Sequence, residues 1–262
     1  MNRALHTASW VLFAVVMYLI FAAAMWPWIR LPGLGNIGFT VAFVLFALVH
    51  CATMQGARKT LGFFAISAVV SYLMEEIGVR TGVIFGAYHY SNQLGPRIGH
   101  VPLLIPLAWF MMIYPSWVVA RTLVRGVNTH SLFGLAAQSV IAALVMTAWD
   151  VAMDPGMAAA GNWIWEKGGA YFGVPRHNYA GWLLTTFLVF FLAGLLLRRP
   201  ALKVRETRLF AALPIFVYAL FAVRYITSNT APALQLIALF SMGTPALLAL
   251  ILAFTIDSTE PV

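Results

Sequence analysis

The chain has 262 residues, of which 62% are hydrophobic and only 9% charged, a composition that excludes an ordinary soluble domain of this length. Sixteen Lys and Arg against eight Asp and Glu give a formal charge of +8, but the basic residues are dispersed among loops. That is the anchoring pattern of a membrane protein and argues against a nucleic-acid partner.

The apolar runs are about 18 to 22 residues long, which suits spanning helices and is about twice what a barrel strand needs. Lipid admits only helices and closed barrels as spanning structures. The fold class is therefore all-α: one polytopic transmembrane helical bundle over residues 1–262, with about eight spans, or seven on a stricter count. In chain order the predicted spans are roughly Thr7–Trp28, Ile37–Met54, Leu61–Val79 and Leu103–Leu123, then Leu132–Met153, Gly181–Leu197, Leu209–Ile226 and Ala233–Phe254. Arg3 and the apolar run after it have the outline of a cleaved signal. Trp26, Trp28 and Arg30 read better as an interfacial belt closing a retained helix. No internal repeat, low-complexity tract or soluble domain is visible. The lone cysteine, Cys51, excludes a disulfide framework and a cysteine-based metal cluster.

Orientation follows from the loop charges. One set of helix ends carries Arg3, Arg58, Lys59, Arg121, Arg125, Arg198, Arg199, Lys203, Arg205 and Arg208, which is ten basic residues. The other carries Arg30, Arg80, Arg97, Lys167, Arg176 and Arg224, which is six. The bias predicts a multi-pass protein of the cell (inner) membrane with both termini cytoplasmic. The two longest loops, after the third and fifth spans, then open together on the non-cytoplasmic face.

Those loops carry most of the unusual polar chemistry. In "SYLMEEIGVRTGVIFGAYHYSNQLGPRIGH" two acids end an apolar helix, a position the helix dipole disfavours. Glu76 has a plain partner in Arg80, four residues on. Glu75 has none, so it stands as a functional candidate. Gly78, Gly82 and Gly86 recur at a spacing that suits either close helix contact or an irregular re-entrant loop lining a cavity. Tyr88, His89 and Tyr90 follow, as an aromatic belt or as site residues.

The second stretch is "TAWDVAMDPGMAAAGNWIWEKGGAYFGVPRHNYAGW". Asp150 and Asp154 are four apart and share a helix face. Pro155 is expected to end the helix at Asp154. Two acids so close in a partly dry site do not both ionise readily, which leaves one as a neutral proton donor. Trp163, Trp165, Tyr171, Phe172, Tyr179 and Trp182 crowd around His177 and Asn178, a density that suits a pocket for a conjugated or cationic ligand.

His50, His89, His100 and His177 with the acids offer the donor types of a metal site. They lie on separate segments with no metal-ligand spacing, so no metal is expected. No phosphate loop, dinucleotide fingerprint or nucleophile elbow occurs.

At these two stretches the chain resembles the carotenoid-biosynthesis membrane protein family, which includes acyclic-carotenoid hydratases acting on γ-carotene and bacterioruberin precursors. The resemblance rests first on Glu75, Gly78, Thr81-Gly82, Phe85-Gly86, Tyr88-His89-Tyr90, Leu94-Gly95, Val101-Pro102 and "IPLAWFMM", which contains Trp109. It continues through Asp150, Asp154-Pro155, "NWIWE", "YFGVP" and "HNYAGW". It covers roughly residues 70 to 200. One departure is Val83-Ile84, where the family pattern has a proline before the Phe-Gly pair. The resemblance implies a lyase that adds water, without a cofactor, to the terminal C1′–C2′ double bond of a linear ψ-end carotene. Asp150 or Asp154 would be the acid and Glu75 its partner or a water-orienting base. Tyr88, Tyr90, Trp163 and Trp165 would face the cation, with Trp109 and Trp182 also binding substrate. His89, His177 and Asn178 would position water. The implied partners are a carotenoid substrate, the lipid bilayer and other carotenoid-pathway enzymes. The alternatives are a non-catalytic carotenoid-binding protein and a small proton-coupled transporter.

Overall fold

The computed structural model describes residues 3–26, 28–197, 206–228 and 231–255. Arg198, Arg199, Lys203 and Arg205, which weigh in the orientation argument, lie outside the described residues. The chain is a helical bundle. Helices α1 (Arg3–Met25), α2 (Gly35–Gln55), α3 (Ala57–Thr81), α4 (Leu104–Leu123), α5 (Leu132–Ala159) and α6 (Arg176–Leu196) follow one another. A single turn, α7 (Arg208–Ala211), leads into α8 (Leu213–Ser228). Then α9 (Pro232–Ala238), a π-helical turn at Leu239–Gly243 and α10 (Thr244–Thr255) form one continuous rod. Among the described residues seven helices, counting that rod as one, are long and apolar enough to cross a membrane; α8 is apolar but shorter.

The predicted and observed spans differ where proline intervenes. The expected seventh span is divided into α7 and α8, with Pro214 just inside α8. Proline has no N–H, so the carbonyl four residues back, that of Phe210, loses its helical donor. The His50 ring supplies one instead: Nε2 donates to the Phe210 carbonyl at 2.9 Å. Helix α5 does not end at Asp154 as expected. It runs through Pro155 to Ala159, because the carbonyl that Pro155 strands, Val151, accepts a hydrogen bond at 3.0 Å from Tyr171 Oη. Helix α6 begins at Arg176, five residues before its expected start, which brings the "RHNYAGW" segment into its first two turns.

Aromatic and aliphatic side chains fill the interior of the bundle, among them Trp109, Tyr114, Tyr218, Phe43, Phe110 and Phe221. Large apolar residues such as Phe21, Leu45, Val69, Leu73, Leu144 and Leu184 are exposed on the helix exteriors. Water would penalise that surface and lipid does not. The protein is a multi-pass membrane protein.

The long connections close one end of the bundle. After α3, Gly82 takes a left-handed conformation (φ +68°) and ends the helix. The chain then folds back rather than entering another helix. Two glycines make room for it: a Cβ on Gly78 would lie 2.6 Å from the Phe85 ring, and one on Gly181 2.2 Å from the Ile84 carbonyl. The returning segment forms β1 (Tyr88–Tyr90), then the hairpin of β2 (Arg97–Ile98) and β3 (Val101–Pro102). Strand β4 (Trp163–Trp165), from the α5–α6 connection, pairs antiparallel with β1, setting Tyr88 opposite Trp165 and Tyr90 opposite Trp163. The two loops are thereby joined over the ends of α3, α5 and α6.

Candidate active site

Three carboxylates meet beneath this two-stranded cap. Glu75 is buried on the last turns of α3. Tyr88 and Tyr90 reach it from β1 and Trp109 from α4. Tyr88 Oη and Tyr90 Oη both donate to Glu75 Oε2, the latter at 2.7 Å, and Trp109 Nε1 donates to Oε1 at 3.0 Å. Burial first, and the neighbouring Glu75 charge second, push both phenols well above their ordinary range. They remain hydrogen-bond donors throughout the physiological range.

Asp150 and Asp154 face the same space from α5. Asn178, in the first turn of α6, uses one amide nitrogen to bridge them, donating at 2.9 Å to Asp150 Oδ2 and 2.8 Å to Asp154 Oδ2. Trp163 Nε1 donates to Asp154 Oδ1 at 2.6 Å. Both oxygens of Glu75 and both of Asp154 are thus engaged. Asp150 differs: it is fully buried and its Oδ1 makes no hydrogen bond. Tyr171, on the loop above, is pushed up to about 12, chiefly by burial.

A cavity of about 460 Å³ joins these groups. Glu75, Asp150, Asp154 and Asn178 line it together with Tyr88, Tyr90, Trp109, Trp163, Trp165 and Trp182. Trp109 and Trp182 stack with centroids 4.1 Å apart and planes 15° from parallel. Trp149 meets the edge of Trp182 at 5.9 Å.

The three acids and most of the expected aromatic residues therefore share one cavity. Two expected water-positioning residues do not. Strand residues alternate in direction, so with Tyr88 and Tyr90 pointing inward His89 points out. It is exposed, 3.8 Å from Glu166. His177 precedes Asn178 on α6 and is turned about 100° away from it. It is exposed and donates from Nε2 to the Val83 carbonyl, bracing the α3–β1 connection. Glu76 pairs with Arg80 at 2.8 Å and also with His100 at 2.9 Å, outside the cavity. His50 is buried elsewhere. Among the described residues no group of three or more His, Cys, Asp or Glu is placed to hold a metal ion.

Several lining residues escaped the sequence reading: Asn36, Asn162, Phe221, Tyr225 and Arg224. Of these, Asn162 lies in the "NWIWE" motif with no role attached to it, and Arg224 also carries a signal. Counted with the loop charges it weighs only on orientation, although an arginine within an apolar run is a functional candidate by default.

The family model described as "Carotenoid biosynthesis protein" matches residues 35–256, from α2 through α10. The chain belongs to the carotenoid biosynthesis protein family. The match takes in both loop stretches and every residue named above as lining the cavity. Among curated relatives, the bisanhydrobacterioruberin hydratase of Haloarcula japonica is 34% identical over 129 residues, which is 49% of this chain and 42% of the relative. The chain thus aligns with less than half of that protein's length. No solved structure matches it.

Proposed function

We propose that this chain is a carotenoid hydratase, adding water to the terminal C1′–C2′ double bond of a linear ψ-end carotene. The observation that carries the reading is the buried Asp150 carboxyl, with one oxygen held by Asn178 and the other unpartnered, in an aromatic cavity within the bundle. Family membership and the name of the haloarchaeal relative support it.

The chemistry asks for few components. Asp150 delivers its proton to C2′, and the alkene's electron pair forms the new C–H bond. A tertiary cation is left at C1′. The indole and phenol faces of Trp163, Trp165, Tyr88 and Tyr90 stabilise it through their negative π surfaces. A water oxygen bonds to C1′, and the proton it sheds returns to the Asp150 carboxylate, restoring the acid. Asn178 fixes Asp150 during both transfers and ties it to Asp154. Glu75, with both oxygens occupied, anchors Tyr88, Tyr90 and Trp109 and is not the base. No step draws on a cofactor. The loop-covered end faces away from the cytoplasm on the Lys/Arg bias.

Expression in cells that accumulate a linear ψ-end carotene tests this. The expected product is a more polar pigment heavier by one water. Well-inserted protein that binds the pigment and leaves its mass unchanged would sink the hydratase reading in favour of a carotenoid-binding protein.

A further inference from the structure

The cavity that holds the three acids also holds a charge of opposite sign. Arg224, on α8, lines it. Its guanidinium rests 5.9 Å from the Phe221 ring centroid and 5.4 Å from that of Tyr225. Its Nε is buried and makes no hydrogen bond. Among the described residues no ion pair joins it to Glu75, Asp150 or Asp154. A charged donor left bare in a cavity is costly, and an arginine in a membrane helix is costly to keep at all.

Other polar side chains share the lining. Asn36 donates to Asn162 Oδ1 at 3.2 Å, and both face the cavity with Ser228. Much of the remaining wall is apolar, including Phe39, Leu104, Ile105, Met111 and Met153. A molecule that is hydrocarbon throughout would satisfy that wall and leave the Arg224 Nε–H without an acceptor. A molecule with an oxygen set apart from its reacting alkene would satisfy both.

We propose that Arg224 is a specificity-determining residue. It donates from Nε to a hydroxyl or carbonyl oxygen carried by an acyclic isoprenoid whose terminal alkene lies at Asp150. The proposal rests on the hydratase reading and narrows its substrate class: an oxygenated linear carotene is preferred to the plain hydrocarbon. Sites built to hydrogen-bond a substrate oxygen reject the analogue lacking it far more strongly than an apolar pocket rejects a missing methylene.

The test uses the full chain in nanodiscs of neutral phosphatidylcholine. The probes are two linear ψ-end carotenes that differ by one hydroxyl, with binding read from pigment absorption and turnover from the mass of the product. Wild-type protein is expected to bind the hydroxylated pigment at least about tenfold more tightly. Arg224→Met should collapse that preference to within about twofold. If Arg224→Met does not fold, Arg224→Lys keeps the charge but moves the donor, and should lose most of the preference. Equal binding by the wild type, or a preference that survives in the substituted protein, overturns the proposal. So does an Arg224 effect that appears only after anionic phospholipid is added, since the guanidinium would then be holding a lipid phosphate. A binding preference without any hydrated product leaves the Arg224 assignment standing and defeats the hydratase reading. Hydration of both pigments without preference does the reverse.

Discussion

The bundle solves one problem twice, and the two solutions differ in what they leave over. In α5, Pro155 strands the Val151 carbonyl and Tyr171 caps it; at the start of α8, Pro214 strands the Phe210 carbonyl and His50 caps it. The His50 region is then closed. With Nε2 donating to Phe210, Nδ1 is left to accept from Tyr114 Oη at 2.7 Å, and the ring stacks on Phe210 at 4.7 Å. Each polar atom of the imidazole is spent on the protein. The Tyr171 region is open: next to Val151, Asp150 keeps an unpartnered oxygen in a cavity, and Trp165 Nε1 is also buried without a partner. Buried polar groups in folded proteins are almost always satisfied. The satisfied cluster holds the fold, whereas the one whose unpartnered groups line a cavity keeps hydrogen-bonding capacity for a ligand.

Removing the open acid should have the largest effect. Asp150→Asn keeps the side chain's shape and the bridge from Asn178 can be retained, but the proton is gone. Turnover should fall by about 10³-fold, the scale of a lost general acid, while insertion and pigment binding persist. Activity within tenfold of wild type would show that Asp150 is not the donor.

Glu75→Gln probes the acid with no free oxygen. The three donors around it, Tyr88, Tyr90 and Trp109, need acceptors, and an amide offers one oxygen in place of two. Trp109 can only donate, so it claims that oxygen and both tyrosine hydroxyls must reverse. We expect turnover to drop by about ten- to a hundredfold, less than for Asp150→Asn, with the loss read from product formation per inserted protein. A loss equal to or greater than that of Asp150→Asn would make Glu75 a direct participant in proton transfer.

How much of this was legible in the sequence can be followed residue by residue. The bundle was legible because lipid leaves one reading for long apolar runs, and the Asp150–Asp154 face was legible because helical spacing fixes it. The split between Glu75 and Glu76 was also legible, from the single partner Arg80. What was not legible needed a structure. Tyr88-His89-Tyr90 reads as one aromatic triplet until strand pairing turns His89 outward. Pro155 reads as a helix end until Tyr171, sixteen residues on, takes over its stranded carbonyl. The role of His50 and the presence of Arg224 in the cavity depend on contacts between distant segments, which spacing alone does not encode.

At the closed region the effect should be on stability, with chemistry spared. His50→Leu strands the Phe210 carbonyl and removes the acceptor for Tyr114 Oη in a buried setting. That should cost about 1–3 kcal/mol, seen as a lower thermal unfolding midpoint in detergent. Turnover per folded molecule should change by less than about twofold. A His50 variant that stays stable but loses turnover would erase the distinction between the two regions.

The smallest expected effect is an absence of titration, and it tests the Glu75 clasp directly. Tyr88 and Tyr90 lie outside the spanning helices, and burial together with the Glu75 charge raises both well above the ordinary phenol range. Below about pH 10, the ordinary tyrosine value, folded and unfolded chains both keep these protons, so the pair contributes no pH dependence to stability. Above it the unfolded chain sheds protons that the folded site retains, and stability falls as pH rises. Turnover should accordingly show no phenolic limb between about pH 8 and 10, because the hydroxyls remain donors to Glu75 across that window. A decline with an apparent pKa near 10 that disappears when both tyrosines are changed to phenylalanine would mean that they titrate as free phenols. The clasp on Glu75 would then be too loose to organise the cavity wall.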